Sequence, residues 1–188
     1  AIFNDLGGIC KLRGNNTDAL AWYDSMLHVS IANNYLSGQG TAYSNRSLIY
    51  MSEQHYDKAL ADILKAIEIA GRTGKIYGQI IGRIHAANIL EKKHELRRAE
   101  MYAREALSMA QDLKYYPEEE AQAHLALARI GERAEKWKMA YEHYNAYKEG
   151  IDSLRSEDVE KNMHDLEVKY RTAEKEKEIE RLDRKSVV

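Results

Sequence analysis

The chain has 188 residues, enough for one domain with a sizeable core, or for one domain plus an extension. A single proline and 31% charged residues suit long helices and disfavour a turn-rich all-β fold, and the lone Cys10 excludes an internal disulfide and a thiolate metal cluster. Lysine and arginine nearly balance aspartate and glutamate, for a formal charge of −2, so no global attraction draws nucleic acid or anionic lipid to this fragment.

Along the chain one pattern recurs four times: a small residue followed twelve positions later by an alanine, in the pairs Gly7/Ala19, Ser47/Ala59, Ala87/Ala99 and Ala128/Ala140. Successive alanines stand 40, 40 and 41 residues apart. Two antiparallel helices approach closely only where side chains are small, so each pair marks the crossing point of a helical hairpin. The first unit spans about residues 1–37, with Gly14 in its turn. The second, about 38–76, is expected to open after Gly38 and Gly40 and carries Leu60, Ile63, Leu64 and Ile67 at helical spacing. The third, about 77–116, follows Gly71 and Gly74 and repeats the stripe with Met101, Ala103, Ala106, Leu107 and Ala110. The fourth, about 117–155, starts at Pro117, where a missing N–H costs nothing and Glu118, Glu119 and Glu120 meet the positive end of the helix dipole.

Residues 156–188 differ in composition: between Ser156 and Lys185 stand ten acidic and eight basic residues, with no Gly or Pro, which predicts one long charged helix capped by Ser156. Val159, Met163, Leu166, Tyr170 and Ala173 follow at spacings of four and three. They form a seam suited to a coiled coil, and so to a homodimer, or to packing on the last repeat. Beyond Ala173 the heptad lands on Lys177 and Glu180 while Ile179 and Leu182 fall out of phase.

The recurring phrases resemble the tetratricopeptide repeat. Leu6-Gly7 and Leu127-Ala128 fit its Leu-Gly step, Tyr50 its later aromatic, and Tyr23 and Tyr144 the aromatic four residues after the alanine. Ile63 and Ala103 depart from that last position, and Cys10, Leu90 and Gly131 replace the later aromatic. The resemblance implies an all-α, right-handed superhelical solenoid of four helix-turn-helix units and about eight helices, followed by the long helix. A period of 40 instead of the family's usual ~34 calls for an extra turn on one or both helices or for longer connections, and it overlaps HEAT repeats, the second candidate architecture.

The stretch from Tyr144 to Leu182, with Tyr147-Lys-Glu-Gly-Ile-Asp-Ser-Leu, Leu166-Glu-Val-Lys-Tyr170 and Glu174-Lys-Glu-Lys-Glu-Ile179, resembles the junction of bacterial membrane-anchored tetratricopeptide sensors. These are two-component histidine kinases and related regulators. That resemblance implies an extracytoplasmic repeat region leading to a membrane span and an output domain, both outside these residues. The absence of an initiator Met fits a fragment of such a protein. A stand-alone cytoplasmic adaptor with a capping last helix is the alternative.

No catalytic constellation emerges. No two of the seven histidines are four apart, Gly71-Arg-Thr-Gly74-Lys75 lacks the Ser/Thr of a phosphate loop, and nothing fixes a base beside Cys10. The expectation is a non-enzymatic module with no metal and no cofactor. Resemblance to the family places Asn45, Leu48, His85, Asn88, Arg129, Glu132 and Arg133 near the concave face formed by first helices, where a protein or peptide partner would lie and arginine would grip a carboxylate. The family's two-carboxylate clamp is missing, because Asn4 and Gly8 stand where its Lys and Asn belong.

Overall fold

The computed structural model describes residues 2–113, 116–150 and 157–186. Among them run α1 (Ile2–Leu12), α2 (Asn16–Ala32), α3 (Leu36–Ser52), α4 (Tyr56–Arg72), α5 (Ile76–Lys92), α6 (Leu96–Leu113), α7 (Pro117–Arg133), α8 (Trp137–Gly150) and α9 (Glu157–Ser186), with no strand. Each helix packs on its neighbours in the chain, and α5 also touches α7. The result is an all-α helical-repeat solenoid.

What sets the period is one turn used again and again. Gly14, Asn34, Gln54, Gly74, His94 and Glu135 all have positive φ, between 53° and 75°. Each is followed by a residue whose N–H reaches back to the carbonyl five positions earlier: Asn15 to Cys10, Tyr35 to Ser30, His55 to Tyr50, Lys75 to Ala70, Glu95 to Leu90 and Lys136 to Gly131, at 2.8–2.9 Å. That pair of features ends a helix with its orphan carbonyls satisfied. The same residue's own carbonyl then accepts the first bond of the next helix, as in Ala59 N–H to His55 O at 3.0 Å. Three residues thus close one helix and open the next. Because α2, α3, α4 and α5 each have 17 residues, a period of 40 is two such helices and two such turns. Both helices of the unit are long and the connections are short.

Gly14 and Gly74 lie in these turns, as expected, whereas the other marker glycines do not. Gly38 and Gly40 lie in the first turns of α3 and Gly71 in the last turn of α4, while Asn34 makes the reversal before the second unit. Gly38 is needed for proximity: an added Cβ there would run into Ser30 Oγ and the Tyr35 ring.

Within units, small residues sit at the crossings. The Tyr23 ring lies over Gly7, Ser47 Oγ donates to Ala59 O across the hairpin at 2.9 Å, and Ala19, Ala59, Ala87, Ala99, Ala128 and Ala140 are fully buried. In the fourth unit the tightest approach is made by Gly131, where an added Cβ would stand 3.0 Å from Ala140 N and 3.2 Å from its Cα. Between units an isoleucine of α3, α5 and α7 is buried in the shared core: Ile49 clusters with Ala19 and Tyr23, and Ile89 and Ile130 lie in one cluster with Ala59, Ile63, Ala99 and Ala103. Burial of each contributes about 1.5–3 kcal/mol.

The last helix covers the C-terminal end. Leu166 is buried with Tyr144 and Tyr147, Met163 is half-buried beside them, Tyr170 stacks on Tyr141 at 6.1 Å, and Lys169 Nζ lies 4.5 Å from the Trp137 ring. Ala173 is half-buried, whereas Ser156 and the side chain of Val159 lie outside the described residues.

Gly131→Ala is expected to cost about 1–3 kcal/mol by overpacking against the α8 backbone. Gly8→Ala, with nothing within 4 Å of the added Cβ, should instead gain about 0.5–1 kcal/mol of helix propensity. Thermal unfolding of the two variants checks the contrast.

Candidate functional site

First helices of successive units lie side by side and are bridged at two places. Asn45 Nδ2 on α3 donates to Asn4 Oδ1 on α1 at 2.9 Å, and Arg133 Nε on α7 pairs with Glu91 Oε1 on α5. Among the described residues no side-chain hydrogen bond or ion pair joins α3 to α5. Between those two helices is a cavity of about 260 Å³, open to solvent. Its floor is Ala66, Ile69 and Ala70 of α4; one wall is Ser37, Thr41, Ser44 and Asn45 of α3; the other is Gly78, Ile81 and Gly82 of α5, with Lys75 and the exposed Tyr77 also on its lining. Glycine keeps it open, since Gly40, Gly78 and Gly82 put no side chain into it, and α5 lies so close to α4 that an added Cβ at Gly82 would be 2.7 Å from Ile67 Cγ1. No carboxylate lines the cavity and Lys75 is its one cation. It thus suits neutral or anionic groups with a small apolar part.

Of the residues expected on the groove, the structure brings Asn45 to this cavity and leaves the others off its lining. Leu48 and Asn88 are half-buried, and Glu132 is exposed. His85 is also half-buried in terms of its whole surface, but its Nδ1 is enclosed and has no hydrogen-bond partner among the described residues. Burial, and secondarily the charge of Lys11, lower its pKa to about 4, so the ring is neutral at pH 7. Both arginines are exposed and each also has a partner within the fold. Arg129 hydrogen-bonds the Tyr144 side chain, and Arg133 neutralises Glu91, which is only 4% exposed. A buried carboxylate needs a partner. Arg133 is thus engaged with Glu91 through its Nε, and Lys92 Nζ approaches the other oxygen of the same carboxylate at 3.7 Å.

Sequence reasoning missed two polar clusters. Arg46 of α3 binds Asp24 Oδ1 of α2 at 2.9 Å and Asp62 Oδ2 of α4 at 3.0 Å, with its guanidinium 5.8 Å from the Tyr43 ring and 5.7 Å from that of Tyr50. Burial raises the Asp62 pKa, with Arg46 opposing it. The second cluster is His124 of α7 against His143 of α8, Nδ1 to Nδ1 at 2.8 Å, which requires one ring to donate and the other to accept. A His four residues after Glu120 and a His four before Tyr147 gave no sign of meeting. Cys10 packs, half-buried, on the Ala19, Tyr23 and Ile49 cluster. Among the described residues no group of three or more His, Cys, Asp or Glu could hold a metal ion, and no helix is long and apolar enough to cross a membrane.

Comparison with known proteins returns structures, not families. No family model matches the chain, and no curated protein does. Among solved structures, BtubC from P. vanneervenii superposes with a TM-score of 0.76 at 18% identity, over 91% of this chain and 71% of its own. The apo form of RapI does so with a TM-score of 0.73 at 12% identity, over 80% of this chain and 54% of its own. The fold is a helical repeat. This chain thus spans about half the length of RapI, and the likeness extends to architecture alone.

Burial lowers the pKa of His143 to about 4 and also that of His124, with the neighbouring ring and Arg104 adding for His143 and Glu100 and Glu120 opposing. Folded pKa values below the unfolded 6.5 mean that the unfolded chain takes up more protons as the pH falls. Stability is therefore expected to be full above pH 6.5 and to decline towards pH 4, with His143→Gln flattening the decline. Denaturant unfolding at a series of pH values measures it.

Proposed function

We propose that this chain is a non-catalytic protein-interaction module of the tetratricopeptide type, whose first-helix face receives an extended segment of a protein or peptide partner. The observation that carries this reading is the α3–α5 cavity, of a size for one or two side chains, with hydroxyl and amide groups on one wall and an apolar floor. Asn45 stays in the proposed site as a wall residue, and Leu48, His85 and Asn88 extend it along the same helices. Arg129, Glu132 and Arg133 stand on α7, off the cavity lining, where a partner that runs on past α5 would meet them. A displayed random-peptide library selected on the purified chain is expected to enrich binders that lose at least tenfold in affinity on Thr41→Trp, which fills the cavity mouth, and on Lys75→Glu. Absence of enrichment, or binders indifferent to both substitutions, would sink the reading.

The finer reading is a sensory region of a bacterial two-component histidine kinase or related regulator, extracytoplasmic and anchored through a segment outside these residues. Its support is the resemblance of Tyr144–Leu182 to such junctions and a helix of 30 residues, only part of which packs on the last repeat. In this reading the distal part of α9, with Ile179 57% exposed, pairs with a second copy. A stand-alone cytoplasmic adaptor is the second reading, favoured by the burial of Leu166 on α8, which makes α9 a cap. Sedimentation separates them: a dimer dissolved by Ile179→Lys is expected for the sensor, and a monomer at every concentration for the adaptor.

A further inference from the structure

Away from the first-helix face, two imidazoles meet inside the fourth hairpin. His124 Nδ1 on α7 and His143 Nδ1 on α8 stand 2.8 Å apart, with ring centroids at 5.1 Å. The short turn that brings Gly131 against Ala140 sets these two rings against each other farther out along the same hairpin. Packing alone does not call for histidine here. In the repeat register the same two positions hold Phe3 and Trp22 in the first hairpin, with rings 6.1 Å apart, Tyr43 and Asp62 in the second, and Arg83 and Tyr102 in the third. The fourth alone puts imidazole nitrogens on both sides. Burial keeps both rings neutral at pH 7, His143 with a pKa of about 4, so each offers a lone pair and no charge to repel a cation. Beside the pair is a solvent-open cavity of about 330 Å³ lined by His124, Glu120 and Glu149, and among the described residues no Lys or Arg lines it. Arg104 of α6, the cation that acts on His143, is itself held by Glu100 at 2.8–2.9 Å. The approach to the rings is therefore favourable to positive charge.

We propose that His124 and His143 together bind one transition-metal dication of the Cu(II) or Ni(II) type through their two Nδ1 atoms. In the metal-free pair the rings face head-on and share one proton. To receive the ion each ring turns by about 45°, so that both lone pairs converge on one point. Adjacent positions of a square-planar ion with bonds of about 2.0 Å lie about 2.8 Å apart, whereas a tetrahedral ion holds its ligands about 3.3 Å apart. The separation already present, 2.8 Å, selects the square-planar class. The proton on the shared Nδ1 passes by exchange with water to Nε2 of the same ring, so both nitrogens coordinate and no net proton is released. Water from the cavity fills the remaining positions, because Gln111 holds Glu120 by its Oε1 at 3.0 Å and, among the described residues, no third His, Cys, Asp or Glu completes the set. A site of two imidazoles with no oxygen ligand from the chain rejects Mg(II) and Ca(II).

The test is calorimetric titration of the purified chain with Cu(II) and with Ni(II), joined to electron paramagnetic resonance of the Cu(II) form. Expected is a first step of one ion per chain, unchanged in His28→Gln and His164→Gln, which replace exposed histidines. In His124→Gln and in His143→Gln that step weakens at least about tenfold, since loss of even an outer partner of a metal ligand costs about 10–100-fold. The resonance spectrum of the unsubstituted chain is expected to show coupling to two imidazole nitrogens, a readout that needs no variant to fold. Because the ion binds the closed hairpin, the thermal unfolding midpoint rises with its concentration, and Mg(II) or Ca(II) at the same concentration leaves it in place. Coupling to a single imidazole, equal affinity in His143→Gln and the unsubstituted chain, or the lack of a one-to-one step overturns the inference.

Discussion

The packing of α1 to α6 depends on a left-handed residue placed every twenty positions. A positive φ at Gly14, Asn34, Gln54, Gly74 and His94 lets the following N–H close the helix behind it while its carbonyl opens the next. A turn of three residues fixes both the reversal and the phase of the next helix. Phase is what matters, because an isoleucine reaches the preceding second helix only if each helix leaves its turn at the same rotation. A turn one residue longer would rotate every later residue by about 100° and carry Ile89 and Ile130 out of the core.

The fold was legible in the sequence where its determinant is a small side chain. Alanines at Ala19, Ala59, Ala99 and Ala140 can be read as crossings because only a small residue admits a second backbone. The turns at Gly14 and Gly74 were legible, but the other four described left-handed positions were not, because they hold Asn34, Gln54, His94 and Glu135 rather than glycine. The last three pay a conformational cost that the two carbonyl bonds offset. Glycine was misleading in the other direction: Gly38, Gly40 and Gly71 looked like breaks but sit inside helices, Gly38 because α3 passes close to Ser30 and Tyr35.

The candidate site was less legible for a related reason. A cavity is defined by missing side chains, and Gly78 and Gly82 carry no chemistry to notice. Arginine, which does, is read in the sequence without the neighbours it meets in the fold. Arg129 and Arg133 have the letters of a carboxylate-binding pair, but whether a guanidinium faces a ligand or a neighbour depends on helices far away in the chain. Glu91 is buried in a helix packed by α4, α6 and α7, so the demand on Arg133 arises in tertiary structure. Arg46, similarly, is held between Asp24 and Asp62 by helices on either side of it.

These polar ties also bear on how the solenoid could respond to a partner. In a repeat stack each unit contacts its neighbours alone, so the pitch is set interface by interface. The first helices are tied between α1 and α3 by Asn4 and Asn45, and between α5 and α7 by Glu91 and Arg133. At α3–α5 that tie is replaced by the cavity, and cohesion rests on the apolar packing of α4 with α5, whose Ile63 and Ile89 share one buried cluster. Apolar contact is non-directional and tolerates a small change of angle that a charged pair of fixed geometry resists. A side chain seated over Ala66 and Ile69 would touch both first helices and the helix beneath them. On the proposed reading, occupancy there would act on the joint between first helices that, among the described residues, no side-chain bond latches.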